Sequence, residues 1–337
     1  LIKPKKSHLM LATILGVPDL VNTSRIPLPG DLNPTQIETI AHRWIDFNIG
    51  FEDVKTKTFA KYADRLNESV LPEAKQTPAY ILPPYAMVDN PSDGWWELSK
   101  KLWDESQQYA LEKGVEHKLR RVVATNDPTH WNSLAGAIQD KEIVGWVSNL
   151  SELELSSEVP LINYGEALMK ARQRNQQVFA LYGGFFSVLL SRYGLTGASH
   201  GIGFGEHRDS IELPSSGAPP ARYYVPLLHR YIGVEIAVHL WRQFPELISC
   251  DCDECHGGSP SDLLYHQLMS HSVRVRSKEI ADWLDLPTSE VVMKLTDSSL
   301  DFRKAVAGLN APPKVVDGAQ GIYQHLAMWA RVIKHLG

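Results

Sequence analysis

Cys250, Cys252 and Cys255 lie within six residues in the run Cys250-Asp251-Cys252-Asp253-Glu254-Cys255, and the chain has no other cysteine. Three thiols in one tight loop are a poor disulfide framework, being odd in number, but they are soft ligands at the spacing a metal requires. The chemistry they predict is a closed structural zinc site with four protein ligands. The fourth ligand must be a histidine further on. His256 adjoins a committed cysteine and would be strained, leaving His266 and His271, which both follow the returning loop Gly257-Gly258-Ser259-Pro260. His271 is preferred because it opens an amphipathic run over 273–284, and a ligand there would tie that helix to the loop. Four protein ligands leave no open position, so the expected role of the metal is structural.

A second group of reactive side chains is Gly201-Ile202-Gly203-Phe204-Gly205-Glu206-His207-Arg208-Asp209. Its glycines let a ligand approach the backbone, and four ionisable residues follow. Glu206 or Asp209 would supply a carboxylate to an oxocarbenium-like carbon, while Arg208 and His207 would contact phosphate or substrate. The glycine spacing is no dinucleotide fingerprint, because no phosphate-facing helix begins there. Asp127, preceded by Asn126 and followed by Pro128, either belongs to a site or simply caps the next helix. Tyr85 could stack a base, with Asp89 beside it, or both could form a packed rim after Pro83-Pro84. His200 and His229 are each a ligand or proton donor, or otherwise a satisfied structural histidine. Trp95 and Trp96 read as core.

These residues need a scaffold, and the pattern predicts one. Apolar strand-like runs at 9–15, 80–88, 119–125, 143–150, 159–162, 178–182, 197–204 and 223–228 alternate with helical patterns at 94–112, 129–139, 165–174, 185–192 and 233–242. Several runs are continuously apolar, as parallel strands buried on both faces require. About eight strand–helix units is the expectation for an α/β fold of the TIM-type (β/α)8 barrel class. The expected division is a barrel over 1–245 and a zinc-binding subdomain over 246–337, whose last helix, 320–336, packs back on the barrel. Residues 51–77 read as an insertion and 210–220 as a long loop rich in proline. In such a barrel the chemistry sits where strands end, at Asp89, Asn126, Asp127, Asn149, Glu152, Gly183, Gly184, 205–209, His229 and Arg230.

The chain has 337 residues, 43% hydrophobic and 22% charged, with a net charge of −5. No segment approaches the roughly 18 continuous apolar residues of a membrane span. The first residues lack an apolar core and a cleavage site, so a cytoplasmic protein without membrane association is expected. The mild acidity disfavours a protein that coats nucleic acid non-specifically but leaves local basic patches open.

The cysteine cluster and its later histidine resemble the zinc motif of the tRNA-guanine transglycosylase superfamily. Ala180-Leu181-Tyr182-Gly183-Gly184-Phe185 looks like the family strand that ends at a substrate-reading glycine turn, and the run from Leu195 to Glu206 looks like its next strand. The resemblance covers about half the chain, roughly residues 122–284. It implies a zinc-bearing barrel that breaks the bond between a nucleobase and its ribose and installs a deazaguanine. Asp127 matches the base-reading aspartate by position, and Gly183, Gly184, His200 and Gly201 would help read the base. The Asp-Ser-Gly-Gly-Phe segment and the Phe-Asp-Cys…Pro-Thr-Arg segment of the family, the latter carrying its nucleophile, are absent. The interval from Glu206 to Cys250 is also short. These departures fit a divergent branch resembling the DNA transglycosylases that insert deazaguanine. They imply DNA more than tRNA as partner, a nucleobase or deazaguanine as ligand, and room for a homodimer. Two rivals stand beside this expectation: a DNA glycosylase that hydrolyses a modified base without exchange, and a non-catalytic barrel subunit of a nucleic-acid-modifying complex.

Overall fold

The computed structural model describes residues 6–22, 28–49, 78–148, 150–201, 210 and 220–337. Residues 51–77, Asn149, Glu206, His207, Arg208, Asp209 and most of 210–220 lie outside the described residues.

The chain is a mixed α/β fold built on a four-stranded parallel sheet. Its strands, β1 (Arg121–Thr125), β2 (Glu142–Val147), β3 (Gln177–Ala180) and β4 (Leu195–Ala198), are ordered β1-β2-β3-β4. Helices α4 (Gly94–Glu112), α5 (Pro128–Gly136), α6 (Glu158–Gln173) and α7 (Phe185–Leu190) precede or connect the strands, as parallel pairing demands. Parallel bridges Ile81–Leu119 and Met87–Ala124 lay residues 81–87 along the outer side of β1. Gly197 lies opposite Phe179 across the β3–β4 bulge, where an added Cβ would come within 2.7 Å of the Phe179 ring. A separate antiparallel hairpin, β5 (Arg222–Val225) and β6 (Arg230–Gly233), follows. No described helix is long and apolar enough to cross a membrane.

One face of the sheet packs on the helices. Trp131, Leu134, Leu161, Leu168, Val123, Ile143 and Val178 join a core that continues to Leu336 and includes Trp96. The last helix, α13 (Gln324–Leu336), packs on α6, as expected of the chain end. Gly165 permits this approach, because a Cβ there would lie 2.4 Å from Leu336 Cδ1. On the other face Val122, Ala124 and Val144 gather Tyr85, Met87, Trp146, Phe179 and Leu181.

Two expected strands are helices. Residues 9–14 of the run at 9–15 fall in α1 (Lys6–Ile14), where Leu, Met and Ala are strong helix formers and the run is too short to show a period. Residues 159–162 open α6. Pro160 is tolerated in that first turn, and Leu161, Tyr164, Leu168 and Ala171 form its buried stripe. Strand β6 was not anticipated; its four residues sit between the expected strand at 223–228 and the expected helix from 233.

Candidate metal centre and the sheet-end cluster

Helix α10 (Tyr265–Trp283) buries Leu268, His271, Ser272, Val275, Arg276 and Glu279, the stripe expected of one helix face. Polar residues thus occupy inward positions, and each has an assigned partner. The helix begins before the anticipated run, so His271 lies mid-helix rather than at its start.

His271 is fully buried, and its Nε2 lies 2.7 Å from the Tyr224 carbonyl oxygen. A carbonyl only accepts, so Nε2 donates here, and Nδ1 is the ring nitrogen turned to the thiols. That Nδ1 sits 3.2 Å from Cys255 Sγ and 3.4 Å from Cys252 Sγ. With Cys250, the four ligand atoms all lie within 4.8 Å of one another. Tetrahedral zinc, with bonds of about 2.3 Å to sulfur and 2.0–2.1 Å to nitrogen, sets the sulfur–nitrogen edge near roughly 3.5 Å. The donor set therefore fits a metal ion, and the carbonyl that fixes the His271 tautomer is the second partner such ligands usually have. The Tyr223 ring stacks on the imidazole at 4.5 Å between centroids.

Backbone hydrogen bonds shape the loop. Backbone N–H groups of Cys255 and His256 donate to the Cys252 carbonyl, and that of Gly257 donates to the Cys250 carbonyl. His256 (φ 46°) and Gly257 (φ 74°) take left-handed conformations to close this turn. Ser270 Oγ donates to Glu254, and Arg274 pairs with Asp253, stapling the loop to α10. Without a metal the thiols compete. Hydrogen bonding from the Cys255 thiol holds Cys250 down to about 4. Cys255 is driven up because it donates to that thiolate and is buried beside it. A divalent cation would reverse this and hold all three as thiolates.

Beyond the candidate metal ligand His271, α10 carries a buried polar cluster. Arg276 Nη1 donates to His200 Nδ1 at 2.9 Å, and Arg276 Nη2 donates to the Tyr224 hydroxyl at 2.9 Å. The Tyr224 hydroxyl donates to Glu279 Oε2 at 2.7 Å, while Glu279 Oε1 lies 2.6 Å from His229 Nδ1. His229 occupies a left-handed position (φ 54°) in the β5–β6 turn and stacks on Phe185 at 3.6 Å. His200 and His229, singled out separately in the sequence, are joined through Arg276 and Glu279. Tyr224 and Glu279 were not foreseen; the available signal was polar residues at inward positions of an amphipathic helix.

Burial, with the nearby Arg276 charge, lowers His200 to about 4, opposed by its hydrogen bond to the Gly183 backbone. It is therefore neutral at physiological pH and serves as an acceptor for Arg276. His325, fully buried with its Nε2 on the Leu228 carbonyl, is lowered to about 3, chiefly by burial and then by Arg230. Both folded values lie below the unfolded value near 6.5. The folded state thus binds fewer protons, and stability is full above about pH 6.5 and falls between there and about pH 3–4. Urea midpoints measured from pH 7.5 to 4 should fall with pH, and His325→Asn should flatten the slope relative to wild type.

The other selected residues lie along the carboxyl ends of the strands. The Asp127 carboxylate caps α5, accepting from the Thr129 amide at 2.8 Å and the Thr129 hydroxyl at 2.7 Å. Partial burial pushes its pKa up, but these bonds and His130 bring it below the ordinary value. Asn126 Oδ1 accepts from Ser210 Oγ at 2.9 Å, and Ser148 Oγ accepts from the Ser210 amide at 2.7 Å, anchoring Ser210 over β1 and β2. Gly183 has no room for a side chain, since a Cβ would lie 2.2 Å from Ser187 Oγ. Glu152 receives the amides of Gly184 and Phe186 at the start of α7. Tyr85 meets the Trp146 ring edge-on at 6.1 Å, and Trp146 meets Tyr182 at 5.5 Å. Asp89 is exposed in a turn against Asp93. Asp127 and His200 stand three strand spacings apart, about 14 Å if the sheet were flat. Gly201 follows His200 at the β4 edge. Comparison of the chain with family models, with curated proteins and with solved structures gives no match.

Proposed function

We propose that this chain is a nucleobase transglycosylase or glycosylase that cleaves the base–sugar bond of a nucleic acid, DNA more than tRNA, on a (β/α)8 barrel bearing structural zinc. The observation that carries the reading is the order of parts. A Gly183-Gly184 turn at the end of β3 and His200 at the end of β4 are followed by a Cys₃His cluster, all joined through α10. This is the arrangement the family resemblance implies. The four-stranded parallel sheet would be one arc of the barrel. Reduced thiols available for metal binding suit the cytoplasm.

In this reading Cys250, Cys252, Cys255 and His271 hold zinc, which supplies no reaction step and keeps α10 in register with the hairpin. Glu206, with Asp209 as reserve, would attack the anomeric carbon. That forms a sugar–carboxylate ester while the base leaves with the bonding electrons and takes a proton. A second base, or water, would then attack the same carbon and release the carboxylate. Asp127, Asn126, Gly183, Gly184, His200 and Gly201 would surround the departing base, with Tyr85, Asp89 and His229 supporting. Arg208 would hold a phosphate, and His207 would be a further substrate contact.

The Asp127 cap favours a second reading, a non-catalytic subunit, because the same carboxylate has a complete structural role. Substitutions separate the two. Asparagine caps a helix about as well as aspartate, whereas alanine costs roughly 1 kcal/mol. Asp127→Asn should therefore leave the melting midpoint nearly unchanged while lowering base release at least ~100-fold, and Asp127→Ala should lower both. Mass spectrometry of free bases and nucleosides after incubation with DNA and tRNA reads the activity. Base release lost in Glu206→Gln supports the enzyme, and abasic sites without incorporation of an added base identify hydrolysis. No release from any substrate, with or without deazaguanine, sinks the reading.

A further inference from the structure

At the amino-terminal end of the sheet, opposite the cluster of Asp127 and His200, two adjoining cavities of about 620 and 400 Å³ share Arg172, Asn175 and Arg192. Asn175 also lines a third cleft, of about 690 Å³, which is of mixed charge, with Arg120 and Lys141 beside Glu116, Asp140 and Glu142. Among the described residues no carboxylate lines either of the first two cavities.

The cations here are positioned by neutral groups. Arg192 donates to the carbonyls of Leu189, Trp283 and Leu286 at 3.0–3.1 Å. Arg172 donates to the Arg192 carbonyl at 3.3 Å, and Lys141 to the Arg174 carbonyl at 3.4 Å. Arg174 itself bonds only the side-chain amide oxygens of Gln176 and Asn132. Arg172, Arg174 and Arg192 thus gather near the end of α6 with no carboxylate partner among the described residues, in a chain whose net charge is −5. Burial pulls the Arg192 pKa down, so its charge is held against a desolvation cost. The negative end of α6 accounts for cations settling nearby. It does not account for the wall of the two smaller cavities, which offers guanidinium, amide and hydroxyl donors and, among the described residues, no acid.

We propose that this cleft is a phosphate-binding surface that holds a nucleic-acid backbone, with Arg172 as its exposed contact and Arg192 as its fixed floor. Guanidinium groups match phosphate oxygens, and backbone contacts position a nucleic acid without reading its sequence. Strands of four to six residues separate the two ends of the sheet by roughly 13–20 Å, so the cleft would hold a segment flanking the reacting nucleotide. The choice of nucleic acid over other polyanions rests on the function proposed above.

The test is fluorescence anisotropy of labelled DNA and RNA duplexes with the zinc-loaded full chain, titrated across salt concentrations. Arg172→Glu should weaken binding at least ~10-fold, Arg172→Lys should largely restore it, and Arg172→Ala should reduce the salt slope by about one. Arg192 is left intact because its three carbonyl bonds are structural. Wild-type binding unchanged by Arg172→Glu would overturn this surface alone. No wild-type binding would overturn both it and the nucleic-acid reading. Equal displacement of the duplex by polyglutamate would make the partner an acidic protein, and displacement by millimolar inorganic phosphate with no salt-slope change would make it a free phosphate; either overturns the backbone assignment.

Discussion

Replacing Cys255 by serine is expected to lower bound zinc from about one ion per chain to a small fraction and to reduce the melting midpoint by at least ~10 °C. Cys255 is the most buried of the three cysteines, and its sulfur lies 3.2 Å from His271 Nδ1. A serine oxygen cannot replace the thiolate, and two thiols would remain beside a histidine that can no longer complete a site. Structural zinc in small peptides contributes about 10–16 kcal/mol apparent; here part of that is cushioned, because α10 also packs through Leu268 and Val275. Chelation of wild type should reproduce the loss, and metal analysis with calorimetry reads both effects. A Cys255→Ser chain that keeps its zinc and its melting midpoint would remove the metal centre from the fold's support.

The second large effect is expected at Glu279. Its carboxylate accepts from Tyr224, meets His229, and lies 3.2 Å from Arg276 Nε. Arg276 and Glu279 are both more than nine-tenths buried. Glu279→Ala would leave the guanidinium in a dry site without its counter-charge, a change that costs about 3–5 kcal/mol. Glu279→Gln, which retains an acceptor, should cost less. Replacing both charges by apolar residues of similar volume should recover much of the loss, since a well-packed apolar pair can match a buried ion pair. Urea denaturation of the two single mutants and the double mutant measures this. A loss below about 1 kcal/mol in Glu279→Ala would mean that water from the adjoining cavity lined by His200 and Arg276 compensates the guanidinium, and that the Glu279 carboxylate is not what holds it.

The metal loop was legible because its chemistry is local: three soft ligands in six residues carry their meaning without any fold. The fourth ligand was legible only as a choice. What favours His271 over His266 is the Tyr224 carbonyl, which sets the His271 tautomer from 47 residues away. The parallel strands β1, β2 and β3 were legible as continuous apolar runs. The runs at 9–15 and 159–162 look the same, and only their surroundings make them helical. Arg276 and Glu279 were not singled out in the sequence, because their burial depends on His200, Tyr224 and His229, which reach them from two other parts of the chain.

The most direct measurement of the central claim is the zinc K-edge absorption spectrum of the intact protein. A metal held by Cys250, Cys252, Cys255 and His271 predicts three sulfur scatterers at about 2.3 Å and one imidazole nitrogen at about 2.0–2.1 Å. The imidazole signal should be lost in His271→Ala and kept in His266→Ala. A shell with fewer than three sulfurs, or an imidazole that survives His271→Ala, would contradict the centre and the link through α10 to the sheet end.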